Sequence, residues 1–274
     1  MDLKKFDSRP VAVPIQKIIK ENENTNTYVF KYPLGSKPGQ FVMLWIPGVD
    51  EKPFSVAYDD GKEFWLTICN VGGATAELFK LKAGDKVGIR GPMGTSYEFK
   101  KGERIATVAG GYGAAPMYFV ARTAVGCKVD FIVGARNKKL LLFIDRVKKL
   151  KNVKVHVATD DGSAGIKGYN TVVLDEILNK KKIDRVFACG PEVMEYAVGK
   201  VVDKHSKKKK INCAVSVEKY MKCGIGVCGQ CAIDDTGELA CIKGPVMDWN
   251  YLKKLPEFGQ YHRDAQGKKH FFQK

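Results

Sequence analysis

The sequence is short of acidic side chains, of arginine and of long apolar runs, and each shortage excludes something. No run among its 274 residues approaches the roughly 20 apolar residues of a membrane-spanning helix, so no helical membrane protein is expected. The opening Met1-Asp2-Leu3-Lys4-Lys5-Phe6-Asp7 lacks the apolar stretch of a secretory signal, and a cytoplasmic address is expected. No internal repeat is visible, which argues against a fibre or solenoid. What is present suits a folded globular protein: 45% hydrophobic and 28% charged residues, with a mean hydropathy of −0.22. The length allows about two domains of ordinary size.

The acidic shortage leaves 46 basic residues against 30 acidic ones, a net charge of +16, and only eight of the basic residues are arginine. Such an excess fits nucleic-acid binding, an acidic partner or a solubilising surface. The basic residues are scattered, and the tightest run, residues 207–210, reads as a loop without the interleaved aromatics of a stacking platform. A solubilising surface is therefore expected, with no nucleic-acid or membrane partner.

Residues 13–19, 26–31, 41–46 and 64–69 are β-branched and aromatic stretches separated by Pro, Gly and Asp, the texture of a small antiparallel barrel. Residues 74–82 within this part have a helical pattern. Beyond residue 100 the texture becomes an alternation of strands and helices: 105–109, 129–133, 153–159 and 186–188 read as strands, and 117–124, 140–150, 172–178 and 193–202 as helices. That alternation predicts a doubly wound parallel sheet. The expected division is residues 1–99, a Greek-key barrel; 100–208, an α/β nucleotide-binding domain; and 209–274, a small segment needing a metal to hold it together.

Of eight cysteines, Cys69, Cys127, Cys189 and Cys213 are isolated, whereas Cys223, Cys228, Cys231 and Cys241 fall within nineteen residues. Their spacing, C-x4-C-x2-C-x9-C, matches the plant-type arrangement of ligands to a two-iron, two-sulfur [2Fe-2S] cluster. Gly224, Gly226 and Gly229 allow the loop to wrap closely and bring amide N–H groups to the sulfurs. Structural zinc is the alternative, but it usually shows two short C-x2-C pairs, and only Cys228 and Cys231 are so spaced. Cys213 reads as a core residue of a strand.

Residues 105–109 form a strand that runs into Gly110-Gly111-Tyr112-Gly113-Ala114-Ala115-Pro116, a strand, glycine turn and helix start of the kind that meets a pyrophosphate. The motif is not a full G-x-G-x-x-G, and alone it is weak. Thr159-Asp160 and Cys189-Gly190-Pro191 each follow a further strand of the same sheet, and strand ends along one edge are where such sheets bind ligands. Arg136, just past the second strand, is a candidate for a 2′-phosphate and equally a surface arginine. Lys52-Pro53-Phe54-Ser55, read as a turn entering a strand, and Thr67-Ile68-Cys69-Asn70-Val71-Gly72-Gly73-Ala74-Thr75 are the unusual stretches of the barrel. A hydride donor and a one-electron cluster in one chain require a two-to-one electron converter between them.

With these parts in order, the sequence resembles the ferredoxin reductase-like flavoproteins, and more closely the electron-transfer subunits of type B dihydroorotate dehydrogenase, over nearly the whole chain. The resemblance implies FAD, a [2Fe-2S] cluster and NAD(H) as exchangeable substrate, with the dihydroorotate dehydrogenase catalytic subunit as partner in a hetero-oligomer. It implies that Lys52 meets the FAD pyrophosphate, that Ser55 lies near the flavin ring, and that Pro53, Phe54, Ile68, Cys69, Asn70, Gly73, Ala74 and Thr75 are further FAD contacts. Gly110, Gly111, Gly113, Ala114, Pro116, Cys189, Gly190 and Pro191 match its nicotinamide turns, and the four clustered cysteines match its cluster ligands. The sequence departs from the family pattern at Lys52, where arginine is usual, and at Ala74, where glycine is usual. Lysine keeps the charge and loses the bidentate fork. No protein acid or base is nominated. Sister readings are an electron-transfer subunit of a sulfur-reducing or hydrogenase-type complex, or a ferredoxin:NADP reductase; a basic nucleic-acid-binding protein with a zinc-stabilised tail is the remote one.

Overall fold

The computed structural model describes residues 9–207 and 210–272. The opening eight residues and two lysines of the 207–210 run lie outside the described residues. Six strands, β1 (Val11–Asn22), β2 (Thr25–Phe30), β3 (Phe41–Ile46), β4 (Asp50–Asp59), β5 (Phe64–Cys69) and β6 (Lys86–Met93), close an antiparallel barrel in the order β1-β2-β5-β4-β3-β6. Alternation drives closure: Phe64, Leu66 and Ile68 of β5 turn inward against Tyr28, Phe30, Val42 and Leu44, all fully buried. The helix α1 (Gly73–Leu78) links β5 to β6 and is shorter than the helical pattern over 74–82 suggests.

Two barrel strands depart from the sequence expectation. β4 contains Lys52, Pro53, Phe54 and Ser55, which form strand and not turn, and β6 carries Gly88, Gly91 and Pro92. Both strands hold residues that normally signal turns. Pro53 lies opposite Met43 of β3, and a Cβ on Gly88 would come within 2.7 Å of the Trp45 ring, so the glycine makes room for that side chain.

The second layer follows as β7 (Arg104–Gly110), α2 (Ala114–Thr123), β8 (Lys128–Ala135), α3 (Ile144–Lys148), β9 (Val153–Thr159), β10 (Ile166–Lys167), α4 (Asn170–Lys180), β11 (Arg185–Cys189), α5 (Glu192–Ser206) and β12 (Asn212–Ser216). After β12 come α6 (Ala240–Lys243), β13 (Val246–Asp248), α7 (Trp249–Leu252) and the hairpin of β14 (Tyr261–Arg263) and β15 (Lys269–Phe271). The sheet order is β10-β9-β8-β7-β11-β12-β13, parallel except for β13. Leu174, Ile177, Val198 and Val202 of α4 and α5 cover one face, and Met117, Val120 and Val147 of α2 and α3 cover the other. Phe119 of α2 turns instead into the barrel core, which fastens the two layers together.

The helical pattern over 140–150 resolves into a 3-10 turn, Lys138–Leu140, and the short α3. Phe143 adopts a left-handed φ of 63° that interrupts the helix and lays its ring 5.0 Å from that of Tyr118. The last two strands of the sheet, β12 and β13, lie beyond residue 208, so the sheet runs into the third segment of the expected division. Cys213 is buried in β12, as a core strand residue.

Candidate functional site

In this sheet β7 is the strand at which the order reverses, since the chain moves to β8 on one side and to β11 on the other. Ligands bind outside the carboxyl ends of strands at such a point. The glycines there are required by close approach. A Cβ on Gly113 would lie 2.0 Å from the Cys189 carbonyl oxygen, and one on Gly190 would lie 3.0 Å from the Gly110 Cα. The turns Gly110-Gly111-Tyr112-Gly113 and Cys189-Gly190-Pro191 thus interlock and present the start of α2 at the sheet edge.

A cleft of about 1030 Å³, its open mouth included, lies in front of these turns. Pro53, Phe54, Ser55, Ile68, Cys69 and Thr75 form the barrel wall; Tyr112, Gly113, Pro116, Cys189 and Gly190 form the sheet wall; residues 216–219, Met221 and Pro245 form the third. The size and the mixture of aromatic, aliphatic and backbone surface suit a large planar cofactor. Lys52, Asn70, Gly73, Ala74, Gly110, Gly111, Ala114 and Pro191 lie within two residues of lining residues in sequence without lining the cleft themselves. Lys52 is ion-paired with Asp50 at 2.6 Å. The Thr75 hydroxyl accepts the Val71 and Gly72 N–H groups, both at 3.0 Å, and so shapes the loop. Thr159 and Asp160 lie at the end of β9, two strands from β7, where the Thr159 hydroxyl donates to the Ala164 carbonyl at 2.8 Å to close a turn.

The third wall was not expected. Its residues carry no motif, and the available signal was only that they directly follow a strand and lead to the first clustered cysteine. Lys219 in this wall forms a buried ion pair with Glu257 of the tail, and Glu257 also accepts the Asp234 N–H at 3.1 Å. Asp234 is held down to about 2 by Arg263. The tail is therefore stitched to both the cleft wall and the cysteine segment.

Behind the Cys189 turn lies a buried acidic pair on α5. Glu195 accepts the Gly190 N–H at 3.2 Å through one oxygen, while its other oxygen is buried without a partner. Burial pushes this carboxyl well above the usual range. Glu192, which accepts the Gly259 N–H at 2.6 Å, is raised by burial to about 7. A carboxyl with a raised folded-state pKa contributes stability that is complete below its unfolded value and lost as pH rises through the folded one. Denaturant midpoints should therefore decline from pH 4.5 to about 7, and Glu192→Gln should flatten that decline, leaving the share due to Glu195 and to Glu218, which burial also raises. An E192Q midpoint series as steep as that of the parent would show that Glu192 ionises freely in the fold.

In the cysteine segment, the Val227 and Cys228 N–H groups both donate to Cys223 Sγ at 3.4 Å, and the Cys241 N–H donates to Cys231 Sγ at 3.4 Å. Gly224, Gly226 and Gly229 all take left-handed φ values, between 69° and 78°, that turn these amides inward. Burial raises the Cys223 thiol, but the amides of Cys228, Ile225 and Val227 outweigh it and hold the thiol down to about 6. Burial and the neighbouring Cys231 push Cys241 up to about 12. The sulfurs thus associate as Cys223 with Cys228 and Cys231 with Cys241. Among the described residues no three Cys, His, Asp or Glu side chains gather as a site for one ion. Two cysteine pairs, with amide donors on the Cys223 and Cys231 sulfurs, fit a two-iron, two-sulfur cluster better than one tetrahedral zinc.

Residues 218–253 match the family model of the iron-sulfur cluster binding domain of dihydroorotate dehydrogenase B, and residues 107–200 match that of the oxidoreductase NAD-binding domain. The chain is 42% identical to a probable dihydroorotate dehydrogenase B (NAD(+)), electron transfer subunit, from Methanocaldococcus jannaschii, over 96% of this chain and 99% of that one. It is 39% identical to the protein of the same description from Methanothermobacter thermautotrophicus, over 95% and 97%. Among solved structures it is similar to an NADH-dependent reduced ferredoxin-NADP oxidoreductase, with a TM-score of 0.77 and 28% identity over 89% of this chain and 92% of that one. It shares the fold of phthalate dioxygenase reductase, with a TM-score of 0.61 and 18% identity over 77% and 70%. With relatives this similar over nearly their whole length, the chain belongs to the family of dihydroorotate dehydrogenase B electron transfer subunits.

Proposed function

We propose that this chain moves electrons between NAD(H), a bound FAD and a [2Fe-2S] cluster, to or from a dihydroorotate dehydrogenase catalytic subunit, in pyrimidine biosynthesis. One observation carries the reading. A single cleft is walled by the barrel, by the sheet's reversal point and by the segment that ends in the first clustered cysteine. A group lying there touches both the nicotinamide side and the cluster side.

When bound, FAD supplies the conversion between a two-electron hydride and single electrons, and the cluster relays the latter. The chain's own residues bind and orient. Pro53, Phe54, Ser55, Ile68 and Cys69 face the flavin, with Asn70, Gly73, Ala74 and Thr75 shaping the adjoining loop and Lys52 contributing charge toward the pyrophosphate. The Gly110–Pro116 turn and Cys189, Gly190 and Pro191 receive the nicotinamide. Thr159 and Asp160 are about 10 Å along the same edge, two strand spacings away, within reach of the adenosine half. Cys223, Cys228, Cys231 and Cys241 hold the cluster. The expected division at residues 99 and 208 then separates roles, with the third segment lending β12 and β13 to the sheet. Among the described residues no helix is long and apolar enough to cross a membrane, and we assign a cytoplasmic location.

Full-length identity to relatives of one description favours this reading over the sister complexes. The test is an anaerobic visible spectrum of the purified chain. Flavin bands with a broad iron–sulfur shoulder are expected, bleached by NADH alone and by dihydroorotate only when the catalytic subunit is added. Bleaching by NADH with no response to dihydroorotate would move the partner to another complex. A chain that stays colourless after reconstitution would overturn the reading.

A further inference from the structure

The cluster loop does not rest on the sheet alone. Its first turn is docked on the outer face of the barrel, where Phe41, Met43 and Met93 join the core that includes Cys231 and Cys241. Gly224 lies so close to this face that a Cβ there would come within 2.9 Å of Met43 Cγ and 2.8 Å of Met93 Sδ. Beside Met43, and paired with it across β3 and β6, is Arg90. Its side chain is only 7% exposed. Nε and one terminal nitrogen donate to the two carboxylate oxygens of Glu51 on β4, at 2.7 and 2.6 Å, and that terminal nitrogen also donates to the Cys223 carbonyl at 3.0 Å.

This is a built contact. A buried guanidinium needs its charge paired, and the bidentate pair with Glu51 does that while fixing the plane of the fork. The second N–H of that terminal nitrogen points at one acceptor, the carbonyl of the first cluster cysteine. The Cys223 peptide is thereby fixed from the barrel side just before Gly224 turns left-handed, and the Cys223 sulfur is fixed from the loop side by the Val227 and Cys228 amides. We propose that Arg90 is a positioning residue for the iron–sulfur cluster, coupling the barrel to the first ligand through Glu51 and the Cys223 carbonyl. This rests on the reading of the loop as a cluster site. Groups that orient metal ligands in this way typically govern affinity by about 10–100-fold.

Arg90→Met removes fork and charge, and Arg90→Lys keeps the charge while losing the bidentate plane. Each variant would be purified with flavin and cluster, then followed by iron release to a chelator, by electron paramagnetic resonance of the dithionite-reduced cluster, and by NADH bleaching of the flavin. Iron loss about 10–100-fold faster in Arg90→Met, a smaller acceleration in Arg90→Lys and a shifted or broadened cluster signal are expected, with NADH bleaching unchanged. Wild-type iron retention and cluster signal in either folded variant would overturn the proposal. So would parallel loss of flavin binding in both, which would make Arg90 a brace of the barrel only. If Arg90→Met does not fold, Arg90→Lys decides by the same readouts. A parent chain that assembles no cluster would remove the cluster reading and this proposal together, an outcome visible before any variant is compared.

Discussion

Cys228→Ala is expected to abolish the cluster signal and every electron-transfer step that depends on the catalytic subunit, while NADH still bleaches the flavin. Cys228 is the exposed member of the four, so its replacement disturbs little packing. Its loss leaves Cys223 without its partner, and one iron would be held by a single thiolate, too few for a stable four-ligand cluster. The measurement is iron content per chain with electron paramagnetic resonance after dithionite, beside stopped-flow bleaching by NADH. Cys213→Ala is the control. Cys213 is buried in β12 of the sheet, outside the 223–241 loop, so iron content should remain at the parental level. Equal iron in Cys228→Ala and the parent would exclude Cys228 as a ligand.

The same cysteines show what kind of information the sequence makes readable. A ligand set whose first three members span nine residues is a local property, and its glycines announce the left-handed turns that aim the amides. The barrel was legible where strands alternate, as in β5, and illegible where the strand carries turn residues, as at Pro53 or at Gly91-Pro92. The cleft's third wall depends on strand order: residues 216–219 reach the nicotinamide turns because β12 pairs with β11, a register that no short window contains. The Arg90 contact to Cys223 spans 133 residues of sequence, and nothing in the pattern around either residue points to the other. Thr159 and Asp160 show the converse. They follow a strand of the sheet, as Gly110 and Cys189 follow theirs, yet β8 separates β9 from the reversal point.

Gly113→Ala should be among the most damaging single-methyl changes in the nucleotide half. The added Cβ would sit 2.0 Å from the Cys189 oxygen, 2.5 Å from its carbonyl carbon and 3.0 Å from the Gly190 nitrogen. All three are backbone atoms of a strand end, so no side chain can swing away, and the strain must be relieved by moving α2 off β11. Overpacking of a rigid site costs about 1–3 kcal/mol and occasionally more. The displacement would not stay local. Phe119 of α2 is set in the barrel core, so a shift of the helix start pulls on the joint between barrel and sheet and narrows or skews the cleft between them. A lower melting temperature and at least about tenfold slower NADH bleaching are expected, the rate corresponding to about 1.4 kcal/mol of lost transition-state stabilisation. Dithionite reduction of the cluster should be unaffected, because it does not pass through the nicotinamide site. Gly111→Ala separates crowding from backbone strain: a Cβ there meets nothing within 4 Å, and only the φ of 54° resists it. Its cost should be about 1–2 kcal/mol, with NADH bleaching close to that of the parent. Gly113 itself has an ordinary helical φ of −59°, so if the two variants behave alike the crowding there is relieved without disturbing the site, and the interlock of the two turns is not what holds the nicotinamide site.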